Sequence, residues 1–199
     1  MPRPTVYYIR HGETDWNANG RLQGTHDVPL NELGRAQSVH AGLILADLFA
    51  RDGREARSLK FVSSPLGRAR QTMELLRETL RLPVREYAID ERLREIAYGD
   101  WEGFTLAETQ ARDPDIFERR QAAKWTIAPP GGENYLSVQA RMSDWYSALE
   151  ADTVAVAHGG TARALMVALG FEMPESACDL TIEQGAVYVF GKGSLKKYS

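Results

Sequence analysis

Two histidines of this chain stand directly behind short apolar runs, and each is followed by glycine. Residues 5–9 (TVYYI) lead into Arg10-His11-Gly12-Glu13, and residues 153–157 (TVAVA) lead into His158-Gly159-Gly160-Thr161. A third run, residues 59–63 (LKFVS), leads into Ser64-Pro65-Leu66-Gly67-Arg68. Guanidiniums offer forked donors that match a tetrahedral oxyanion. The helix N-termini expected after Pro65 and Gly160 add backbone N–H groups and positive dipole ends. Gly12, Gly159 and Gly160, lacking Cβ, let the backbone approach a ligand closely. The expected ligand is therefore an anion, most simply a phosphoryl group. One opposite unit charge at 4 Å contributes about 4 kcal/mol at an effective dielectric of 20, before desolvation.

Binding alone does not require two imidazoles. A neutral imidazole is a competent nucleophile that forms covalent intermediates. Cations depress a histidine pKa, so His11, beside Arg10 and facing Arg68, is expected to stay neutral. His158 is expected to be the charged partner, donating to a phosphoryl oxygen. The leaving alcohol then needs a proton, and Glu95, before an apolar pair and the Tyr98-Gly99 turn, is the candidate acid.

Periodicity supplies the elements that must hold these residues. Runs 5–9, 59–63 and 153–157 read as buried strands. Residues 84–88 read as a weaker, exposed strand, and 181–184 with 186–190 as a terminal hairpin around Gly185. Asn31 is placed to cap a helix over 32–49 whose inward face is Leu33, Ala36, Val39, Leu43 and Ala46. A second helix opens at Ser64-Pro65 and runs to Leu80, with Met73, Leu76 and Leu80 inward. Residues 91–95 form a helical turn, 135–150 an amphipathic helix, and 161–169 a helix ended by Gly170. Residues 15–29 form a long loop of the kind that carries function. Residues 104–132 are helical in pattern, lack strands and end in Pro129-Pro130-Gly131-Gly132.

Strands alternating with helices imply βαβ units. The expected architecture is three-layer α/β/α with a mostly parallel central sheet, as a single domain over 1–199, with 104–132 a small helical cap. Ligands of such sheets bind beyond the carboxyl ends of the strands. If the three strands are neighbours, Arg10, His11, Arg68 and His158 converge.

The chain of 199 residues carries a net charge of −3, which gives no electrostatic footprint for nucleic acid. A bound anion must meet a local positive pocket instead. Cys178 is the only cysteine, which excludes an intramolecular disulfide and fits a reducing compartment. The absence of a long apolar run and of an apolar leader-like segment in residues 1–8 leads to the expectation of a cytoplasmic protein without a membrane partner. The expected partners are a small phosphorylated metabolite and, at most, a second copy of the chain in a homodimer.

Four motifs in this order resemble the histidine phosphatase superfamily, the phosphoglycerate mutase-like proteins. They are Arg10-His11-Gly12-Glu13-Thr14, continued by Trp16-Asn17 and Gly20-Arg21-Leu22-Gln23-Gly24; then Ser64-Pro65-Leu66 with Arg68-Ala69 and Gln71-Thr72; then Leu93 and Glu95 with Tyr98-Gly99 and Trp101-Glu102-Gly103; then His158-Gly159-Gly160. The resemblance implies that His11 is the phosphorylated nucleophile, that Arg10, Arg68 and His158 complete the phosphate pocket, and that Glu95 is the proton donor. It implies that Asn17 binds a phosphoryl oxygen, that Gln23, Gly24 and Tyr98 line the substrate side, and that Gly159 lends a backbone N–H. No metal or organic cofactor is implied, and the cap would select the alcohol half.

The cofactor-dependent mutases of that family carry a lysine shortly after the Tyr-Gly turn and Asn-Ser after the second His-Gly. Residues 101–106 contain no lysine, and Gly160-Thr161 follows His158-Gly159. These departures favour the phosphatase branch, with mutase-type phosphoryl transfer as the alternative. A non-catalytic phospho-ligand module is a second alternative. A metal hydrolase using His11, Glu13 and His158 is a third, disfavoured by Arg10 beside the ion. Glu133 is a candidate to approach the site. His26 and His40 read as surface residues, Trp16 and Trp101 as packing residues, and Arg119-Arg120 as a solvated charge pair.

Overall fold

The computed structural model describes residues 3–191 and 193–199. Its sheet has six strands: β1 (Val6–Arg10), β2 (Lys60–Ser63), β3 (Ala88–Ile89), β4 (Thr153–Ala157), β5 (Val187–Gly191) and β6 (Ser194–Tyr198). Their order is β3-β2-β4-β1-β5-β6. β3, β2, β4 and β1 are mutually parallel, whereas β5 runs antiparallel to β1 and to β6. The helices are α1 (Asp15–Ala18), α2 (Glu32–Arg51), α3 (Gly67–Thr79), α4 (Leu106–Arg112), α5 (Pro114–Ala122), α6 (Tyr135–Ser147), α7 (Gly159–Ala168) and α8 (Pro174–Ala177).

The middles of the three central strands are apolar on both sides because both faces are covered. Side chains alternate along a strand, so β1 sends Tyr7 and Ile9 to one side and Val6 and Tyr8 to the other. Tyr7 and Ile9 join Leu45, Met73 and Leu76 from α2 and α3, with Val154 and Val156 of β4. Val6 and Tyr8 join Met142, Trp145 and Leu165 from α6 and α7, with Ala155 and Ala157. Leu45, Met73 and Leu76 are fully buried, each worth about 1.5–3 kcal/mol relative to exposure.

α2 differs from expectation in the face it buries. Leu33 is 53% and Leu43 56% exposed, and Val39 also faces outward. The inward residues are Gly34, Ser38, Ala41, Gly42, Leu45, Leu48 and Phe49. Small residues hold the first half of that face because the backbone of α2 there lies against its neighbours, and Leu45, Leu48 and Phe49 hold the second. A Cβ on Gly34 would sit 2.0 Å from the Glu13 carbonyl oxygen, and one on Gly42 2.8 Å from Thr79 Cβ.

Two strand expectations also need correction. The outer strand is not 84–88; pairing is confined to Ala88–Ile89 beside Val62 and Ser63. The terminal hairpin turns at Gly193 rather than Gly185, with β5 against β6. Residues 181–184 are irregular, and the Ile182 carbonyl and the Gln184 side chain serve the site described below. β6 alternates half-buried Leu195 with exposed Lys196, the charged pattern that blunts a sheet edge. Among the described residues, no helix is long and apolar enough to cross a membrane.

Residues 104–132 contain α4, α5 and connecting loops. They lie against the loop after α1 and the Tyr98 turn: Leu22 N–H donates to the Phe104 carbonyl (2.9 Å), Gly103 N–H to Leu22 (2.8 Å) and Asp100 N–H to Pro130 (2.9 Å). The expected long loop is itself pinned by α1, where Thr14 and Asn17 form a reciprocal cap.

Candidate active site

Because β2, β4 and β1 are adjacent and parallel, Ser63-Ser64, Ala157-His158 and Arg10-His11 leave the sheet at one edge. The cleft there encloses about 160 Å³ and is lined by Arg10, His11, Asn17, Arg21, Leu22, Gln23, Gly24, Arg68, Glu95, Tyr98, Gly159 and Arg163. Nine of the ten expected site residues thus border it; His158 lies behind His11, with ring centroids 5.1 Å apart.

His11 is 2% exposed. Its Nδ1 lies 2.7 Å from the Gly12 carbonyl oxygen, which can only accept, so Nδ1 holds the proton. Nε2 therefore carries the lone pair, and Arg68 Nε–H donates to it at 3.2 Å. Burial, then the charges of Arg68 and Arg10, push the imidazole well below its ordinary pKa. His158 is fully buried, with Nε2 2.7 Å from Ser64 Oγ, while Nδ1 has no partner among the described residues. Burial, followed by Arg68, His11 and Arg10, also pushes His158 well below its usual value. The expected charged His158 is therefore corrected: in the free site both imidazoles are neutral.

Arg68, 1% exposed, is held by the loop after α1. Its terminal nitrogens donate to the carbonyls of His26 (2.5 Å) and Gly24 (2.8 Å). Arg10 donates to the Ile182 carbonyl (2.7 Å), and its buried Nε has no partner among the described residues. Burial lowers the pKa of both guanidiniums, against the opposing pull of Glu95.

The helix N-termini are not left for a ligand. Asp27 accepts from the backbone N–H groups of Gly67 (2.9 Å) and Arg68 (3.4 Å) at the start of α3. Glu95 Oε2 accepts from Gly160 N–H (3.2 Å) at the start of α7, and Oε1 from Ile96 N–H (3.0 Å). A Cβ on Gly160 would meet Glu95 Oε1 at 2.5 Å, so the glycine leaves the space this carboxylate fills. Gly12 makes room for α2 rather than for a ligand: its Cβ would sit 2.1 Å from the Gly34 carbonyl oxygen.

Asn17 Oδ1 accepts from Gln184 Nε2 (3.0 Å) and Thr14 N–H (3.2 Å), which fixes the amide at the cleft. Gln23 is buried, with its Oε1 unpartnered. Gly24 has φ +53°, and a Cβ would clash with Glu102 Oε1 at 2.0 Å. Glu102, without a role in the sequence reading, accepts from Tyr98 N–H (3.0 Å), Thr25 N–H (3.0 Å) and His26 Nδ1 (2.6 Å). Burial raises its pKa, but these hydrogen bonds outweigh that and hold it below the ordinary carboxylate value. Burial also pushes the Tyr98 phenol up.

Glu133 does not line the cleft; its carboxylate accepts from Ala97 N–H at 2.9 Å, behind the Tyr98 turn. Arg120 is not solvated: it is buried, with its guanidinium 5.6 Å from the centre of the Tyr98 ring. Arg119 and His40 are exposed, and Trp101 is fully buried and donates to Asp113. His26, a surface residue by its exposed ring, contributes a carbonyl to Arg68. Glu13 accepts from the Asn31 side chain (2.9 Å), away from the histidine pair. Arg21, Arg163 and Gln184 went unassigned in the sequence; the signal for Arg163 is its place one helical turn beyond Gly159.

The comparisons agree with this geometry. The model of the Histidine phosphatase superfamily (branch 1) matches residues 6–193. Glucosyl-3-phosphoglycerate phosphatase of Mycobacterium tuberculosis is 40% identical over 175 residues, 81% of this chain and 73% of that protein. A solved structure of the mycobacterial enzyme with VO3 superposes with a TM-score of 0.75 at 31% identity, covering 100% of this chain and 96% of that one. Bacillus stearothermophilus YhfR superposes with a TM-score of 0.78 at 32% identity, covering 97% and 94%. A 2,3-bisphosphoglycerate-dependent phosphoglycerate mutase of Brucella suis is 30% identical over 196 residues, 94% of this chain and 91% of that protein. With its histidine pair, arginines and carboxylate on the sheet edge, and with a match over nearly its whole length, the chain belongs to the histidine phosphatase superfamily, branch 1.

Proposed function

We propose that the chain hydrolyses a small phosphomonoester in two steps, with His11 as nucleophile and Glu95 as proton carrier. The observation that carries this is the His11 tautomer: Nδ1–H is fixed on the Gly12 carbonyl, and the Nε2 lone pair is turned toward Arg68. In the first step Nε2 attacks phosphorus, and the N–P bond forms as the P–O bond to the alcohol breaks. Glu95, protonated, gives its proton to the leaving oxygen. In the second step water attacks phosphorus, its proton goes to Glu95, and the N–P bond breaks to release phosphate. Arg68 Nε–H moves from Nε2 onto a phosphoryl oxygen as substrate enters, joining Arg10 and the Asn17 amide. Gln23, Gly24 and Tyr98 then border the alcohol. His158, neutral in the free site, takes part through a single N–H and orients the phosphoryl group from behind His11. Catalysis of this kind rests on positioning and on charge fixed in advance.

The test is pre-steady-state hydrolysis of p-nitrophenyl phosphate together with ³¹P detection of a phosphohistidine. We expect an alcohol burst of one equivalent at most, an acid-labile phosphoenzyme, and loss of both in His11→Ala. Glu95→Gln is expected to slow unactivated alkyl esters about 10²–10⁴-fold, and nitrophenyl esters far less. Undiminished turnover in His11→Ala removes the nucleophile assignment, and equal losses for the two ester types remove the acid assignment.

The relative named glucosyl-3-phosphoglycerate phosphatase supports a phosphorylated metabolite as substrate. The mutase alternative lacks a matching lysine in residues 101–106.

A further inference from the structure

Arg68 owes its direction to an exposed loop. Its terminal nitrogens donate to the carbonyls of Gly24 and His26, and its backbone N–H donates to Asp27. Thr25, His26 and Asp27 are exposed, and exposed loops drift unless they are tied down. Drift of these carbonyls would swing the guanidinium whose Nε–H stands 3.2 Å from His11 Nε2.

One carboxylate ties the loop. The Glu102 side chain is only 5% exposed. It accepts from Thr25 N–H (3.0 Å), the Thr25 hydroxyl (3.0 Å), His26 Nδ1 (2.6 Å) and Tyr98 N–H (3.0 Å). A carboxylate can only accept, so His26 Nδ1 holds the proton. His26 thus gives its carbonyl to Arg68 and its ring to Glu102. The remaining donor, Tyr98, follows the acid Glu95 by three residues, so the same carboxylate joins the arginine's loop to the acid's turn. Glu102 itself does not line the cleft. Glu95 and Asp27 supply more of the negative field at Arg68 than Glu102 does, which leaves Glu102 a part in geometry rather than in charge balance.

We propose that Glu102 is a positioning residue for phosphoryl transfer. It holds residues 24–26 so that the Gly24 and His26 carbonyls aim the Arg68 guanidinium at the phosphoryl group beside His11. The inference rests on the reading of the cleft as a phosphomonoester site. Misplacement of a transition-state donor by about 1 Å costs up to about 10²-fold in rate, which sets the scale of the effect.

The experiment is a double-mutant cycle between positions 102 and 68, read as kcat/KM for p-nitrophenyl phosphate and for phenyl phosphate, with urea denaturation of each variant. Glu102→Ala is expected to lower kcat/KM about 10- to 100-fold for both esters, because the phosphoryl group is common to them. His26→Ala, which keeps the carbonyl and loses the ring, is expected to cost less. With Arg68→Gln already in place, Glu102→Ala is expected to cost about threefold at most, since no guanidinium is left to aim. An equal loss in the Arg68→Gln background overturns the proposal. A loss confined to phenyl phosphate also overturns it, by placing the effect on Glu95 through the Tyr98 turn. A lowered urea midpoint with undiminished kcat/KM makes Glu102 structural alone. Where the alanine variant does not fold, Glu102→Gln, which keeps the shape and one acceptor oxygen, carries the same cycle on a smaller scale. Failure of the wild type to hydrolyse either ester overturns the hydrolase reading instead.

Discussion

His11 shows how one residue's surroundings set its chemistry. Burial and two guanidiniums depress its pKa, so the free imidazole stays unprotonated at and below pH 6.5. The expected consequence is that kcat/KM shows no acid limb from His11 near pH 6.5. Replacing Arg68 by Gln removes the nearer cation, so the His11 pKa should rise toward 6.5. Imidazole ¹⁵N shifts of the free protein over pH 4–8 read this directly, and a wild-type midpoint near 6.5 would refute it. The identity of this residue was legible because a histidine directly behind a buried strand is placed by the strand. Its neighbours were less legible. Gly12 looked like room for a ligand, but the space is taken by α2. Helix N-termini looked free, but Asp27 and Glu95 occupy them. Such occupancy depends on residues 40 to 65 positions away in sequence, and local pattern carries no trace of it.

At the scale of elements, periodicity located α2, α3, α6 and α7 but misjudged the inward face of α2. The period of 3.6 was sound; the phase was not, because the buried stripe begins with the small residues Gly34, Ser38, Ala41 and Gly42 and turns to large apolar ones only at Leu45, Leu48 and Phe49. Close backbone approach selects the first half of that face, and side-chain hydrophobicity the second. This yields a prediction opposite to helix propensity. Gly→Ala within a helix ordinarily stabilises by up to about 1 kcal/mol. Gly34→Ala should instead destabilise by about 1–3 kcal/mol, since its Cβ meets the Glu13 backbone at 2.0 Å. It should also lower turnover, because Glu13 follows His11 by two residues in the loop after β1. Urea denaturation decides: an unchanged or raised midpoint would show that α2 can withdraw freely. The terminal hairpin was displaced for a related reason. Alternation within 181–190 resembled two strands, yet β5 takes its register from β1, with Ile9 opposite Val187, and the partner strand lies further along.

For the whole molecule, the sequence implied parallel order but not neighbour order; β2-β4-β1 adjacency arises only in the assembled sheet. That assembly buries two histidines whose pKa values both fall well below 6.5. The unfolded chain binds protons at these positions near pH 6.5, and the folded chain does not until lower pH. Stability is thus complete above about pH 6.5 and declines as pH falls toward the folded values. Two such groups give a slope approaching about 2.7 kcal/mol per pH unit. Glu102 adds to the loss at still lower pH. Its folded pKa is depressed, so its stabilisation, present above the usual carboxylate pKa, disappears as pH drops through the folded value. Thermal denaturation from pH 7 to 4 should show this decline, and a His11→Asn/His158→Asn double variant should flatten its upper part. An equal slope in that variant would place the acid sensitivity elsewhere.

The irregular stretch between α8 and β5 holds the site largely by main chain: the Leu180 and Ile182 carbonyls fix Arg163 and Arg10, while the Gln184 side-chain amide fixes Asn17. Every amino acid supplies a carbonyl, so substitution at 180 or 182 leaves those acceptors in place. Length is another matter. One residue gained or lost before the register of β5 shifts the acceptors by about 3.3 Å, more than a hydrogen bond survives. For these two carbonyl acceptors a change of count matters more than a change of letter, the reverse of an ordinary surface loop, whereas Gln184 acts through its side chain.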